Sequence, residues 1–417
     1  MATLLQRHLL RRCEEVLGAF PCLVIQGARQ VGKSTLASLL VGQRQATVAS
    51  LDDRATKDLA SEDPLSFVRQ RADGTLVIDE AQRLPDLSLA LKAEIDRDRR
   101  PGRFILTGST NLLANRGVQD SLAGRAVGVR LFGFSQGELI GERDDFVAGA
   151  FAGLDDGTLA RHPAPESRGE YARMIARGSF PEATGLSTRL RAHWLDSYLE
   201  RLLHRDALDL SRIRPERLEA LLRLLAANQA GELVKARLAE EAGLSSSTIG
   251  EYLELLRNLY LTDTLPPWTP NLTSREIGRH KAVVVDSGLA ARLQRATEQG
   301  LAALAGNSSF GALLEGFVAA ELLKQQGWSE IDYSLYHYRD RNGLEVDLVL
   351  ELEDNSFIGI EVKASASYSA RQFTNLKALR QKLGKQFAAG FVLTTAQTAY
   401  PFSQRLWGLP VAALWRL

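Results

Sequence analysis

Gly-Ala-Arg-Gln-Val-Gly-Lys-Ser, residues 27–34, is the most informative stretch of this 417-residue chain. The run satisfies the phosphate-loop pattern G-x-x-x-x-G-K-[ST] without a mismatch. The apolar residues 22–25 before it predict a buried strand, and residues 35–40 after it predict the start of a helix. A glycine loop in this context turns backbone N–H groups around a polyphosphate, and the helix N-terminus stabilises the negative charge. Lys33 would reach the β- and γ-phosphates, and the Ser34 hydroxyl would ligate magnesium. The alternative is a chance glycine-rich turn.

Length and composition restrict the class of protein. A chain of 417 residues indicates two to four domains, and its net charge of +1 excludes a polycation of the histone kind while leaving local basic patches open. Cys13 and Cys22 follow no metal-ligand spacing and exclude a disulfide scaffold. The sequence has no apolar run of about 18 residues, and residues 1–13 predict an amphipathic helix rather than a signal peptide. We therefore expect a cytoplasmic protein with no membrane span.

A phosphate loop needs acidic side chains on a neighbouring strand, and Leu-Val-Ile-Asp-Glu at 76–80 supplies them. Its apolar part predicts a buried parallel strand. Asp79 would hold magnesium through water and Glu80 would polarise the attacking water; alternatively, both acids cap the following helix. The strand predicted over 103–107 ends near Ser109. A polar residue there would contact the γ-phosphate or the water, because ligands bind at the carboxyl ends of parallel strands.

These motifs, together with Ser-Leu-Ala-Gly-Arg at 121–125, resemble the bacterial and archaeal AAA-type ATPases that carry a restriction-nuclease-like C-terminal domain. The resemblance covers essentially the whole chain. It implies that the loop binds ATP and that Asp79 and Glu80 handle magnesium and water. Ser109 or Asn111 would correspond to the first sensor. The loop positions that carry over to ATP binding are Gly27, Ala28, Arg29, Gln30, Val31, Gly32, Lys33, Ser34 and Thr35.

The same resemblance leaves two functional roles open for Arg125. It is either a charge sensor or an arginine finger that one subunit of a homo-oligomer supplies to its neighbour, and such a finger is worth roughly 10³ to 10⁵ in rate. The bland alternative is a surface ion pair. A finger would make the protein a ring or a stack of dimers.

The middle of the chain, residues 146 to about 290, is expected to be a helical linker followed by a winged-helix-like domain. Residues 141–170 are rich in Gly, Ala, Asp and Pro and predict a loop or frayed connector. A helix-turn-helix is predicted over 231–262, with Ser245 capping its second helix. The exposed start of that helix is small and polar rather than basic, so either DNA reading or a lid or subunit-contact role fits it. A basic cluster follows at Arg275, Arg279, His280 and Lys281. It either contacts phosphates or solvates a loop.

The C-terminal region, residues about 291 to 417, is predicted as a helix, three strands, a helix and a strand. Glu361 and Lys363 are two apart on one predicted strand and therefore point to one face. Asp347 lies on the neighbouring strand, and Glu315 lies on the helix that would pack over them. Such carboxylates make a magnesium site with water-filled positions. Lys363 would stabilise the attacking hydroxide or the negative charge that develops on the phosphorane.

This order of elements resembles the PD-(D/E)xK nuclease superfamily, although Glu-Val rather than Pro precedes Asp347. The resemblance implies a magnesium-dependent nuclease in which Asp347 and Glu361 bind the metal and Glu315 and Lys363 complete the catalytic set. The alternative is a relic fold whose carboxylates are only ion-paired with Lys363.

The expected fold class is α/β, with a P-loop parallel sheet in residues 1–145, a winged-helix-like part in 146–290 and a restriction-endonuclease-like α/β domain in 291–417. Three functions compete. The first is an ATPase that acts on nucleic acid, DNA being favoured. The second is a regulatory switch that binds ATP and a protein partner, with the nuclease-like domain as an inactive binding module. The third is a small-molecule phosphotransferase, which would leave the middle and C-terminal regions without a role.

Overall fold

The computed structural model describes residues 4–42, 45–71, 73–111, 116–161, 164–207, 213–270, 275, 278–303 and 309–417, with backbone alone at 116, 160, 161, 205 and 206. The chain forms two compact units. The first comprises the residues up to Phe134 together with Asn258–Tyr260. The second comprises Ser135–Arg257 and Leu261–Leu417. The three-part division at about 145 and 290 stays a prediction.

The first unit is built on a five-stranded sheet with strand order β2-β3-β4-β1-β5, in which all paired neighbours are parallel. Its central strands are apolar and buried on both faces, as parallel sheets covered by helices require. This sheet with its helices confirms the predicted P-loop type of architecture. The strands are β1 Cys22–Gln26, β2 Ala46–Ser50, β3 Thr75–Asp79, β4 Phe104–Gly108 and β5 Ala126–Arg130.

One helix of the first unit precedes its first strand, and the others lie between successive strands along the chain. A core of Val24, Leu76, Ile78, Leu91 and Leu106 packs between sheet and helices. The helices are α1 Leu9–Ala19, α2 Lys33–Val41, α3 Arg54–Glu62, α4 Pro64–Arg69, α5 Leu87–Arg97 and α6 Arg116–Leu122, with a 3₁₀ turn at Ala81–Arg83.

The second unit contains a mixed six-stranded sheet with strand order β12-β13-β11-β10-β9-β8 and a separate two-stranded antiparallel sheet, β6-β7. Strand β10 runs antiparallel to β9 and parallel to β11. The strands are β6 Thr262–Leu265, β7 Lys281–Val284, β8 Tyr333–Arg339, β9 Glu345–Leu352, β10 Phe357–Lys363, β11 Phe387–Thr394, β12 Tyr400–Ser403 and β13 Leu406–Pro410.

Helices make up most of the rest of the second unit. Among the helices that the structure describes, none combines the length with the apolar composition that a bilayer span requires. The helices are α7 Gln136–Ile140, α8 Phe146–Asp156, α9 Arg168–Arg177, α10 Pro181–Thr184, α11 Thr188–Arg201, α12 Pro215–Ala227, α13 Lys235–Ala242, α14 Ile249–Asn258, α15 Ser287–Leu293, α16 Glu298–Ala302, α17 Ser309–Gln325, α18 Thr374–Leu383 and α19 Ala413–Arg416.

The prediction of a loop over residues 141–170 is wrong, because this segment contains helix α8 and the start of α9. Asp145 caps α8 by accepting a hydrogen bond from the N–H of Ala148. Phe146 and Val147 bury the first turn, and a side chain at Gly153 would come within 3.2 Å of Leu159. Here the small residues permit close packing and do not mark a loop, and burial outweighs their poor helix propensity.

The predicted helix-turn-helix segment contains two helices, α13 and α14, with Gly243 at the end of the first in the left-handed conformation (φ 64°). The Ser245 hydroxyl accepts a hydrogen bond of 3.2 Å from the N–H of Thr248. The second helix begins at Ile249, because residues 245–248 form a hydroxyl-bonded turn before it. The identity of this segment as a winged helix stays a prediction.

Candidate nucleotide site and carboxylate–lysine cluster

The glycine loop joins the carboxyl end of β1 to the start of α2, as predicted. Gly27 has φ 155°, and a β-carbon there would lie 2.1 Å from the carbonyl oxygen of Leu131. Gly32 has φ 94° and forms the N-cap of α2. Both positions therefore require glycine, one for close approach and both for backbone conformation. The first N–H groups of α2 have no acceptor within the helix, which leaves donors for an anion at this end.

Lys33 is the buried cation of this loop, with 5% of its surface exposed. Its ammonium group donates hydrogen bonds to the carbonyl oxygens of Gly27 (3.1 Å) and Ala28 (2.8 Å). Burial lowers the pKa of Lys33 to about 8, against the opposing effect of the neighbouring Glu80 and Asp79 carboxylates. Two carbonyl dipoles offset only part of the lost hydration, so the site favours an anion next to this ammonium group.

Asp79 links the acidic strand β3 to the glycine loop. The Ser34 hydroxyl donates a hydrogen bond of 2.9 Å to its carboxylate. The Thr107 hydroxyl, on β4, donates to the same oxygen and accepts from the N–H of Glu80 at 3.2 Å. A hydroxyl and a carboxylate oxygen side by side are the ligand types that magnesium prefers, with water and phosphate oxygens completing the shell. The residues present thus fit a magnesium ion.

Glu80 follows β3 in the left-handed conformation (φ 54°), which is costly for a residue with a side chain. Its carboxylate accepts hydrogen bonds from the Ser109 hydroxyl at 2.9 Å and from the Gln82 side-chain amide, which also donates to Ser109. Its side chain makes no capping bond to the turn that follows. Glu80 therefore does not cap the following helix. Ser109 and Gln82 instead orient its carboxylate at the carboxyl edge of the sheet.

The other predicted loop residues differ in exposure. Ala28 and Val31 are buried, whereas Arg29 is half-buried. Gln30, Ser34 and Thr35 are exposed at the start of α2 and its loop.

Sequence reasoning missed three residues that position this site, namely Arg7, Gln82 and Thr107. Arg7 is 7% exposed and donates to the carbonyl oxygens of Val31 (2.9 Å) and Phe132 (2.7 Å). It therefore ties the glycine loop to the segment after β5. The polar Thr107 at the end of an otherwise apolar strand was a usable signal. Arg7 offered none, because its partners are backbone carbonyls distant in sequence.

Arg125 lies immediately before β5, at the amino edge of the parallel sheet, whereas the glycine loop lies at the carboxyl edge. The five residues of β5 separate the two edges by about 15 Å. The guanidinium group of Arg125 donates two hydrogen bonds to the Asp96 carboxylate, at 2.7 and 2.8 Å. Within one chain, Arg125 therefore forms a surface ion pair, as the alternative prediction has it. A role as an arginine finger toward a neighbouring subunit stays a prediction.

In the second unit, the structure brings Asp347, Glu361 and Lys363 together. The Lys363 ammonium group bonds to Asp347 at 3.2 Å and to Glu361 at shorter range. Asp347 also accepts from the N–H of Val362 at 2.8 Å, and Asn375 donates to Glu361 at 3.2 Å. Burial raises the pKa of Glu361 to about 7, reinforced by Asp347 and opposed by Lys363.

Glu315 contacts a lysine that the sequence analysis did not connect with it. Lys281, on β7, is 4% exposed, and its ammonium group lies 2.9 Å from Glu315 and 3.3 Å from Glu345. Burial, together with Asp347, raises the pKa of Glu315 to about 8 against the opposing Lys281. Within the part of the chain that the structure describes, no group of three or more His, Cys, Asp or Glu side chains is arranged to hold a metal.

The predicted basic cluster does not form one surface. Arg275 pairs with Glu351 at 2.6 and 3.0 Å, and Lys281 points into the carboxylates. Arg279 remains 70% exposed on its side chain. The basic run therefore has separate roles, which its spacing in sequence did not reveal.

Comparison with protein-family models divides the chain into three matched segments. Residues 19–140 match a family described as an AAA domain. Residues 168–300 and 310–414 match two domains of unknown function, DUF8612 and DUF4143. Together with the parallel sheet and the glycine loop, the first match identifies the N-terminal part as an AAA-type P-loop ATPase domain, a class that binds nucleotide.

Relatives and solved structures resemble the chain over longer stretches. Proteins of Mycobacterium tuberculosis and Mycobacterium bovis, both described as uncharacterized, are each 29% identical over 367 residues, which covers 87% of this chain and 75% of theirs. The Walker-type ATPase PABY2304 of Pyrococcus abyssi aligns with a TM-score of 0.44 and 16% identity, covering 69% of this chain and 95% of that chain. AMPPCP-bound DnaA of Aquifex aeolicus aligns with a TM-score of 0.25 and 13% identity, covering 60% and 86%.

Proposed function

We propose that this protein hydrolyses ATP at the glycine loop and uses the nucleotide cycle to act on nucleic acid, DNA being favoured, through its second unit. The observation that carries the ATPase part is the convergence of Lys33, Ser34, Asp79 and Glu80 at the carboxyl edge of one parallel sheet. Each of these side chains comes from an element that the P-loop architecture places there.

Each residue has one role in this proposal. Lys33 binds the β- and γ-phosphates and stabilises the charge that grows on them during transfer. Ser34 and Asp79 would hold a magnesium ion, which would neutralise negative charge on the phosphates. Glu80, held by Ser109 and Gln82, orients and deprotonates the attacking water.

The nucleic-acid part of the proposal rests on the elements after the ATPase domain. Helices α13 and α14 are followed by the antiparallel pair β6-β7, which is the order of helix-turn-helix and wing in a winged helix. The mixed sheet β8–β11 then carries Asp347, Glu361 and Lys363 in the predicted nuclease-like order. We propose a restriction-endonuclease-like fold for this part.

The second candidate function is a regulatory switch whose nuclease-like domain binds without cutting. A specific observation favours it over an active nuclease. Lys281 pairs with Glu315, and Lys363 pairs with Asp347 and Glu361, so each carboxylate already has a lysine partner. Metal binding at these carboxylates would require displacing these contacts.

ATP turnover measured with and without single-stranded, double-stranded and branched DNA and RNA, in magnesium and in manganese, tests both candidates. We expect ATP hydrolysis, stimulated by at least one nucleic acid. Cleavage that disappears in Asp347→Ala and Lys363→Ala variants would establish the nuclease, whereas stimulation without cleavage would establish the binding module. Absence of ATP hydrolysis under every condition would refute the proposed function.

A further inference from the structure

The second unit contains a cavity of about 650 Å³ whose wall is rich in cations. It is formed by the segment after β6, the end of β8 with the turn that follows, and the last turn of α18. Four of its lining side chains are positively charged and two, Glu232 and Asp340, are negatively charged. Burial lowers the pKa of the lining residue His337 to about 4, so its ring adds no charge at neutral pH. The cationic residues are Arg279, Arg339, Arg341 and Lys382.

Three of the four cations, Arg279, Arg339 and Lys382, pair with carboxylates that are less exposed than they are. Arg279 and Arg339 are 70% and 51% exposed, whereas Glu232, with which both pair at 3.7 and 3.2 Å, is 17% exposed. Lys382 is 52% exposed, and its partner Asp340 is 18% exposed. Glu232 and Asp340 therefore hold these three side chains from the less exposed side. The N–H groups that face solvent are left available to a ligand.

A second cavity, of about 460 Å³, shares Glu232 and Arg339 with the first. Its wall includes Lys281 and the two carboxylates that Lys281 contacts, Glu315 and Glu345. Arg339 also lies 3.8 Å from Glu345. The cationic wall therefore borders a second cavity that reaches Glu315, one of the residues of the predicted nuclease-like set.

We propose that this cationic cavity is where the second unit grips the phosphate backbone of a nucleic acid. Guanidinium groups match phosphate oxygens with two parallel hydrogen bonds, and a run of cations suits a polyanion whose charges repeat along a chain. The proposal rests on the proposed nucleic-acid function and adds its contact surface. It also accounts for the small, polar turn before α14, because backbone contacts in the cavity need no base-reading helix.

The test uses the full-length protein, labelled single- and double-stranded oligodeoxynucleotides, and salt from about 50 to about 200 mM. The variant is Arg279→Ala with Arg341→Ala, two exposed arginines on the cavity wall. The matched control is Arg189→Ala with Arg223→Ala, two exposed arginines on α11 and α12. We expect the cavity variant to bind more weakly and its slope of log affinity against log salt to fall by about two, while the control keeps the wild-type slope.

The outcomes separate the proposals. If wild-type protein binds the oligonucleotides and the cavity variant keeps the wild-type affinity and slope, the cavity is not the contact surface, although the nucleic-acid function stands. If wild-type protein hydrolyses ATP but binds no oligonucleotide, the nucleic-acid function and this inference both fall. If poly-glutamate competes as strongly as DNA and its binding is lost in the same variant, the partner is an acidic polypeptide and the nucleic-acid assignment is overturned.

Discussion

The Ser34 hydroxyl lies 2.9 Å from the Asp79 carboxylate and donates a hydrogen bond to it. Ser34 is on α2 and Asp79 is at the end of β3, so this bond joins the glycine loop to the acidic strand. Thr107, from β4 between β1 and β3, holds the same carboxylate from the other side. The geometry sets the two oxygens that would share a magnesium ion before any nucleotide binds, which lowers the cost of ordering them.

Replacing Lys33 by alanine should abolish ATP hydrolysis. No other loop residue can bring a buried positive charge to the phosphates, and losing one preorganised charge or donor typically lowers turnover by about 10² to 10³. Steady-state phosphate release measures the effect. Arg54→Ala, which changes a 95% exposed cation on α3, is the control and should retain wild-type turnover. Equal turnover in both variants would remove Lys33 from the mechanism.

ATP affinity should fall with increasing pH above about pH 8. The pKa of Lys33 in the free protein is lowered to about 8 by burial, and bound phosphate favours the charged form and so raises it. Below pH 8 the lysine is charged in both states, and affinity is constant with pH. Above it, binding takes up a proton, so affinity falls by at most about tenfold per pH unit. Calorimetric titration between pH 6.5 and 9.5 measures this, and a flat profile would contradict a titrating lysine.

Glu80→Gln should leave ATP binding intact and lower hydrolysis by about 10² to 10⁴, the usual contribution of a general base. Glutamine keeps the size of the side chain but cannot accept a proton from water. Binding by fluorescence titration and turnover by phosphate release separate the two effects. Glu62→Gln, at an exposed position on α3, is the matched control. Normal phosphate release by the Glu80 variant would assign water activation to another group.

Arg125→Ala and Asp96→Asn distinguish an ion pair from an arginine finger. Both weaken the same exposed ion pair, so neither change should lower stability appreciably. Only Arg125→Ala removes a finger. If Arg125 acts across subunits, its variant loses roughly 10³-fold or more in turnover at concentrations where the protein assembles, while Asp96→Asn does not. Similar turnover in the two variants would mean that Arg125 serves only the ion pair.

Lys281→Met should destabilise the second unit by about 1–3 kcal/mol, because it leaves the half-buried Glu315 without its hydrogen-bonded cation. Adding Glu315→Gln should recover part of the loss, so the two changes are not additive. Urea denaturation followed by circular dichroism measures both. The control is Lys385→Met, at an exposed lysine, which should change stability by under about 0.5 kcal/mol. Additive effects at Lys281 and Glu315 would show that the pair is not coupled.

Much of the fold follows from local patterns. The strand β1, the glycine loop and helix α2 occur where the sequence predicted them, and helix α17 with β8, β9 and β10 follows the predicted order of elements. Short apolar runs beside glycine turns carry that information, since burial and backbone conformation act within a few residues. The prediction failed at α8, because glycine and alanine indicate a loop by propensity, and only burial against neighbouring elements reveals that they form a packed helix.

The phosphate-binding loop is encoded locally, because Gly27 and Gly32 meet local backbone requirements and Lys33 and Ser34 occupy fixed offsets from them. The partners of the buried charges, in contrast, depend on how distant elements pack. Lys281 and Glu315 are distant in sequence, and their pairing depends on how β7 and α17 pack. The physical reason is that a motif is encoded by neighbours along the chain, whereas the environment of a buried charge depends on every element that surrounds it.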